Sequence, residues 1–185
     1  MPCPFEVRRL VPALEADLLR FLGDPGCRGW CFCVAWWVPT WDGWGDRTAA
    51  ENRALREDLL RRGEHDGYLL YSGGEPVGWC QCGPRDRLPK LVRSYGLEPD
   101  PGAWAVSCFE IEPAHRGRGA ARALLRGALE DLRSRGVRRV EGFPRRGEGL
   151  EPGRAWTGPE ALFAGAGFRL LREAERGPVY GIDLA

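Results

Sequence analysis

Residues 109–125 read FEIEPAHRGRGAARALL, and the fold is decided here and in the residues on either side. Residues 104–111, WAVSCFEI, form an apolar run of strand length, whereas Ala121, Leu124, Leu125, Ala128 and Leu132 recur at helical spacing and predict a helix over 119–135. Between them lie Arg116, Gly117, Arg118, Gly119, Ala120 and Ala121. The first N–H groups of a helix lack intrahelical partners and sit at the positive end of its dipole, so this junction favours an anion such as phosphate. Glycine at 117 and 119 lets the backbone turn and approach a ligand, and alanine at 120 and 121 keeps that approach open. The alternative is a tight strand-to-helix turn carrying two solvated arginines. A further apolar stretch, 137–143, follows, and strand, helix, strand predicts a parallel pair with a right-handed crossover.

Working outward, 5–10 reads as a strand, and Leu14, Leu18 and Leu22 then mark a helix stopped by Gly23, Asp24 and Pro25. Residues 26–47 crowd Trp30, Trp36, Trp37, Trp41 and Trp44 among glycines and turn formers and fit no single regular element. Thr48 and Glu51 form a capping-box pattern that starts a helix running to about Arg62. Strands at 68–71 and 77–82 are joined by Ser72, Gly73, Gly74 and Glu75 as a tight hairpin. The proline-rich, charged stretch 84–102 reads as a functional excursion. After a glycine- and arginine-rich loop at 144–156, Thr157 and Glu160 repeat the capping-box pattern, with Pro159 in the first turn of a short helix that ends near 165–167. Strands at 168–172 and 179–184 close the chain as an antiparallel pair. The predicted architecture is α/β (α+β): a mixed, mostly antiparallel sheet with a central parallel pair and helices on both faces.

The chain has 185 residues, 43% of them hydrophobic, enough for one sizeable core, so a single domain over 1–185 is expected. A formal net charge of +1 gives no global field to attract nucleic acid or an anionic membrane. The amino-terminal MPCPFEVRRL lacks a basic segment leading into an apolar one, and no run is long enough to span a bilayer. A cytoplasmic location is expected, with the seven cysteines reduced rather than in a disulfide framework.

FEIEPAHRGRGAARALL resembles the central motif of the GNAT superfamily of N-acetyltransferases, whose R/Q-x-x-G-x-G/A pattern is met by Arg116, Gly119 and Ala121. ALFAGAGF, residues 161–168, resembles the family's short helix ending in glycine and an aromatic before a strand. GCRGWCFCVAWW and GWCQCGPR further resemble a bacterial subgroup with a Cys-x-Cys segment near its amino terminus. The resemblance implies that acetyl-CoA is the cosubstrate, lying between splayed parallel strands. Its pantetheine would pair with the strand holding Phe109, Glu110 and Ile111, and its pyrophosphate would sit on the N–H groups from Arg118 to Ala121, with Arg116, Gly117 and Arg118 completing the cradle. The acceptor implied is a small-molecule amine or a peptide, and a homodimer is compatible with the family.

Direct transfer draws its rate from proximity and from fixed N–H dipoles at the developing oxyanion. An alkyl ammonium titrates near about 10.4, so a base must first take its proton. Glu141 falls where some relatives that acetylate protein N-termini carry a catalytic glutamate. Its competing reading is an outward strand residue paired with Arg138 or Arg139. Glu110, alternating with Phe109 and Ile111 and so facing the other side, is the second candidate. Phe163 stands where the family often has the tyrosine that protonates the CoA thiolate. That role therefore passes to Tyr180, Cys108 or water, or the protein is a non-catalytic acyl-CoA-binding module.

Cys31 with Cys33 and Cys80 with Cys82 would each project to one face if placed on strands, so four thiolates could converge on a metal. Structural zinc spacing is usually longer, and buried cysteines are common core residues, so no metal site is assigned, and a metal- or thiol-responsive protein using these pairs stands as a further alternative function. His115 reads as a packing or CoA contact and His65 as solvated. The tryptophans between 30 and 44 divide between core and acceptor pocket.

Overall fold

The computed structural model describes residues 5–27, 29–146 and 156–184. The expectations for the first four residues and for most of the 144–156 loop lie outside that range. Seven strands form one sheet: β1 (Glu6–Arg9), β2 (Tyr68–Ser72), β3 (Glu75–Pro84), β4 (Ala103–Ile111), β5 (Arg139–Gly142), β6 (Arg169–Ala174) and β7 (Gly177–Asp183). Their spatial order is β1-β2-β3-β4-β5-β7-β6. Every neighbouring pair is antiparallel except β4 and β5, which run parallel as the strand-helix-strand pattern requires. The β2–β3 hairpin turns at Gly73 and Gly74, whose φ values of +60° and +89° glycine adopts without steric cost.

The helices are α1 (Glu15–Gly23), α2 (Ala49–Arg61), α3 (Pro89–Tyr95), α4 (Ala120–Ser134) and α5 (Glu160–Gly165). One face of the sheet packs against α4, where Leu124, Leu125, Ala128 and Leu132 meet Tyr68, Leu70, Cys80, Cys82, Val106 and Val140. Phe163 of α5 joins this core, edge-on to Phe109 and Phe168 with ring centroids 6.1 and 5.1 Å away. On the opposite face, Leu18, Phe21 and Leu22 of α1 and Leu60 of α2 pack with Phe32, Leu69, Trp79 and Cys108. A third apolar group joins Leu91 and Tyr95 of α3 to Trp36, Phe143 and Val179.

The Thr48 capping box is formed: the Thr48 N–H donates to Glu51 Oε2 at 2.6 Å, and the Glu51 N–H donates to Thr48 Oγ1 at 3.2 Å. Its expected counterpart at Thr157 is not. Pro159 itself is the N-cap of α5, which places Thr157 too far upstream, and Glu160 turns instead to Arg146 and Tyr180. Residues 84–102 are likewise not a bare excursion. They hold a 3-10 turn at Arg85–Arg87 and α3, which begins with Pro89 at a position where a missing N–H costs nothing.

The two Cys-x-Cys pairs do not converge. Cys80 and Cys82 lie in the α4-side core, while Cys33 packs on the other face in a turn rather than a strand. Among the described residues no group of three or more His, Cys, Asp or Glu side chains is placed to hold a metal ion. Cys31, Cys33, Cys80, Cys82 and Cys108 are free thiols. No helix among the described residues is long and apolar enough to cross a membrane.

Candidate active site

The parallel ladder pairs Ala103 with Arg139 and ends where Val106 faces Gly142. Beyond that point β4 runs on to Ile111 while β5 has stopped, so the sheet forks at its centre. A register irregularity at the Gln81/Cys82 step of the β3–β4 ladder sets Cys108 opposite Gln81 and Val106 opposite Cys82. Bulges of this kind bend a strand and re-aim its side chains. The Phe109 N–H points into the fork and donates to the Trp156 carbonyl at 2.6 Å. Backbone N–H directions alternate along a strand, so Ile111 presents its N–H to the same edge.

The predicted cradle lies at the far end of β4. After a 3-10 turn at Pro113–His115, Gly117 and Gly119 take left-handed φ of +71° and +83°, and α4 starts at Ala120 with Gly119 as N-cap. No side chain caps this terminus. Among the described residues a Cβ built on either glycine would meet no protein atom within 4 Å, so their identity answers to backbone conformation rather than to protein packing and leaves the helix terminus open. Arg118 is exposed. Arg116 braces the strand instead: its Nε donates to the Ile111 carbonyl at 2.7 Å and its Nη2 to Glu110 Oε1 at 3.1 Å. His115 stacks edge-on to Phe5 at 6.2 Å.

The structure separates the two candidate bases. Glu141 is buried beside the N-terminal half of β4, with its Oε2 3.0 Å from Arg85 Nη1 and its Oε1 3.4 Å from Arg139 Nε. It lines an open cleft with Arg85, Arg139 and Arg172. Glu110 lines a different cavity of about 180 Å³, walled by Trp30, Trp41, Trp44 and Trp156 and floored by Cys31, Cys33 and Cys108. Tyr180 is in neither: it packs at the edge of the α4-side core and gives its hydroxyl to Glu160, which pushes the Tyr180 pKa up, while Arg146 first and then Tyr180 hold Glu160 down at about 2. Phe163 is fully buried, close enough to Gly142 that a Cβ there would fall 2.2 Å from its ring.

The tryptophan cavity depends on a turn that composition alone does not reveal. Phe32 and Cys33 adopt φ of +45° and +53°, a conformation unfavourable for side chains with a Cβ. The fully buried Arg56 fixes that turn, donating from Nε to the Phe32 carbonyl at 3.0 Å and from Nη2 to the Cys33 carbonyl at 2.6 Å. Burial works against ionising Cys33, but hydrogen bonding from Cys108, the Arg56 charge and the Trp79 indole hold its thiol below the ordinary value. Cys108 moves the other way, raised by the same bond to Cys33 and by burial, and Cys31 is pushed up to about 11 by burial first. Arg145 and Arg176, which also line the cavity, belong to a loop and a hairpin turn and carry no sequence signal of a site.

Three solved structures share the overall fold over nearly the whole of this chain. An N-acetyltransferase from Staphylococcus aureus Mu50 aligns with a TM-score of 0.57 at 16% identity over 98% of this chain and 99% of that one. The PaiA N-acetyltransferase from Thermoplasma acidophilum, solved in complex with coenzyme A, gives 0.58 at 10% identity over 97% and 98%. The GNAT family N-acetyltransferase YhbS from Escherichia coli, in complex with CoA, gives 0.56 at 16% over 98% and 82%. The forked sheet with a glycine-headed helix at its open end therefore has the acetyltransferase fold. Residues 30–144 match the sequence model of the acetyltransferase (GNAT) family, and the chain belongs to that family. No curated protein sequence matches it.

Proposed function

We propose that this protein moves an acetyl group from acetyl-CoA directly to a primary amine. The observation that carries the reading is the β4–β5 fork, which opens between a glycine-headed helix terminus and a tryptophan-walled cavity containing a carboxylate. Such a terminus is suited to a pyrophosphate: the N–H groups from Arg118 to Ala121 would receive it, with Arg118 adding charge. Arg116 acts from behind by holding Ile111 and Glu110. The pantetheine arm would follow the open edge of β4 at Phe109 and Ile111, where a ligand carbonyl replaces that of Trp156 at the Phe109 N–H. Acetyl-CoA supplies the activated thioester.

Glu110 is the better placed base. Both carboxylates are paired with arginine, Glu110 with Arg116 and Glu141 with Arg85 and Arg139, but Glu110 lines the cavity where an amine would enter, whereas Glu141 lines another cleft. Glu110 takes the proton of the incoming ammonium directly or through water, which frees the nitrogen lone pair for attack. Cys108, whose thiol burial and its bond to Cys33 keep protonated, lines the same cavity and is the candidate to return a proton to the departing thiolate. Calorimetric titration with acetyl-CoA, followed by a thiol-release assay over a panel of amines and peptides, tests the reading. Binding together with turnover supports it. Tight binding with no turnover on any acceptor favours the non-catalytic acyl-CoA-binding module, for which the apolar core position of Phe163 speaks. Glu110→Gln should cut turnover by roughly 100-fold while leaving acetyl-CoA affinity within about twofold.

A further inference from the structure

The tryptophan cavity is ringed by positive charge. Arg145 and Arg176 line it directly. Arg176 projects from the two-residue β6–β7 turn so that its guanidinium carbon lies 4.5 Å from the Trp41 ring centroid and 5.4 Å from that of Trp36. Against the same Trp41 ring, 3.5 Å from its centroid, sits the ammonium of Lys90, which also lies 4.8 Å from Trp44 and donates to the Thr40 carbonyl at 3.1 Å. Among the described residues none of these cations is ion-paired with a carboxylate. Among the described residues Glu110 is the one acid lining the cavity, and it is already bonded to Arg116.

Like charges gathered around apolar rings oppose one another, and a site that excludes water strengthens the repulsion. The effect shows in the groups themselves. Burial and then the Arg176 charge push Lys90 down to about 8, and Arg176 is lowered by burial, with Arg145 adding repulsion. The neutral Tyr95 hydroxyl is bonded to Arg176 and does not balance it. A ligand anion would relieve the repulsion, and an arginine fork is matched to a carboxylate. Size adds a limit on the side chain: the cavity of about 180 Å³ is comparable to one of about 150 Å³ that takes a body the size of benzene, and it is open on one side.

We infer that the acceptor is a small apolar or aromatic amino acid: its carboxylate is taken by Arg145 and Arg176, its side chain lies among Trp30, Trp44 and Trp156, and its amino group points towards Glu110. This rests on the acetyl-transfer reading and names the acceptor class for that same cavity. It excludes amines without an acid group as good substrates.

The test compares phenylalanine with phenylalaninamide, phenethylamine and O-phosphoethanolamine in the thiol-release assay, and follows binding of N-acetylphenylalanine by tryptophan fluorescence. Phenylalanine should show a KM at least tenfold below the amide and the amine, and N-acetylphenylalanine should quench fluorescence. Arg176→Gln and Arg145→Gln, each with an unchanged melting temperature, should weaken N-acetylphenylalanine binding about tenfold and abolish the preference for acid over amide. Equal KM values for acid, amide and amine, a preference for O-phosphoethanolamine, or unaltered binding in both variants would overturn the inference. If acetyl-CoA still binds and uncharged amines are turned over, the acetyl-transfer reading survives and this inference alone fails. Absence of acetyl-CoA binding removes both.

Discussion

Glu141 Oε2 lies 3.0 Å from Arg85 Nη1, and each side chain is only 5% exposed. Arg85 Nη2 also donates to the Glu98 carbonyl, so the pair ties β5 to the segment that precedes β4. Removing one member of a buried pair leaves the other charge uncompensated. Glu141→Ala should therefore cost about 3 kcal/mol of stability. Where the variant is still folded, its turnover per folded molecule should stay near wild type, because the carboxylate stands in a different cleft from Glu110. Denaturant melts combined with the thiol-release assay check both parts. A stable Glu141→Ala protein with lost turnover would restore Glu141 as the base.

Gly119 offers a cleaner test of the cofactor assignment. Its φ of +83° makes any other residue strained by about 1–2 kcal/mol, yet among the described residues a Cβ there touches no protein atom. Gly119→Val should fold with a modestly lowered melting temperature and lose acetyl-CoA affinity by at least tenfold. Calorimetry on the folded variant decides it, and unchanged affinity would remove the cradle.

Those two positions also mark what the sequence does and does not make legible. The strand, cradle and helix over β4 and α4 are local features: strand and helix periodicity, glycine at left-handed turns and an uncapped terminus are all written in neighbouring residues. The capping box at Thr48 is local as well, and it forms. At Thr157 the same letters fail because Pro159 takes the N-cap and Glu160 finds Arg146, a partner 14 residues away. The helix in 84–102 was hidden by prolines and charges whose net effect depends on packing Leu91 and Tyr95 against Trp36 and Phe143. The tryptophan cavity is the least legible part. Its residues come from α1, the tryptophan segment, β4, Arg145, Trp156 and the β6–β7 turn, and only tertiary contacts such as Arg56 with the Phe32–Cys33 turn bring them together.

Packing at the fork can be tested independently of catalysis. A Cβ on Gly142 would fall 2.2 Å from Phe163 Cε1, and the ring is fully enclosed with Phe109 and Phe168 around it. Gly142→Ala should destabilise by about 1–3 kcal/mol through overpacking. Phe163→Leu, which vacates the colliding ring edge, should recover part of that loss when combined with it, so the double-mutant cycle gives a favourable coupling. Strict additivity would show that the two positions do not share this contact.

Lys90 makes a prediction in pH. Burial, then the Arg176 charge, lowers its folded-state value to about 8 from an ordinary 10.5. Below pH 8 it is protonated in both states, and the folded protein bears the full penalty of the confined charge. Between pH 8 and 10.5 the folded form gives up the proton while the unfolded chain keeps it. The unfolded state then binds more protons, and stability attributable to this residue rises with pH. Lys90→Met keeps the length of the side chain and removes the titration. Melting temperatures of the wild type and this variant, measured from pH 7 to 10.5, should therefore converge or cross in favour of the wild type as pH increases. Ionisation of cysteines and tyrosines not coupled to Lys90 is common to both proteins and cancels in the difference, leaving Cys31 as the one thiol that interacts with the ammonium. Parallel curves across that range would mean that the Lys90 ammonium is not confined between Trp41 and Arg176 in solution, and the cationic ring around the cavity would lose one of its members.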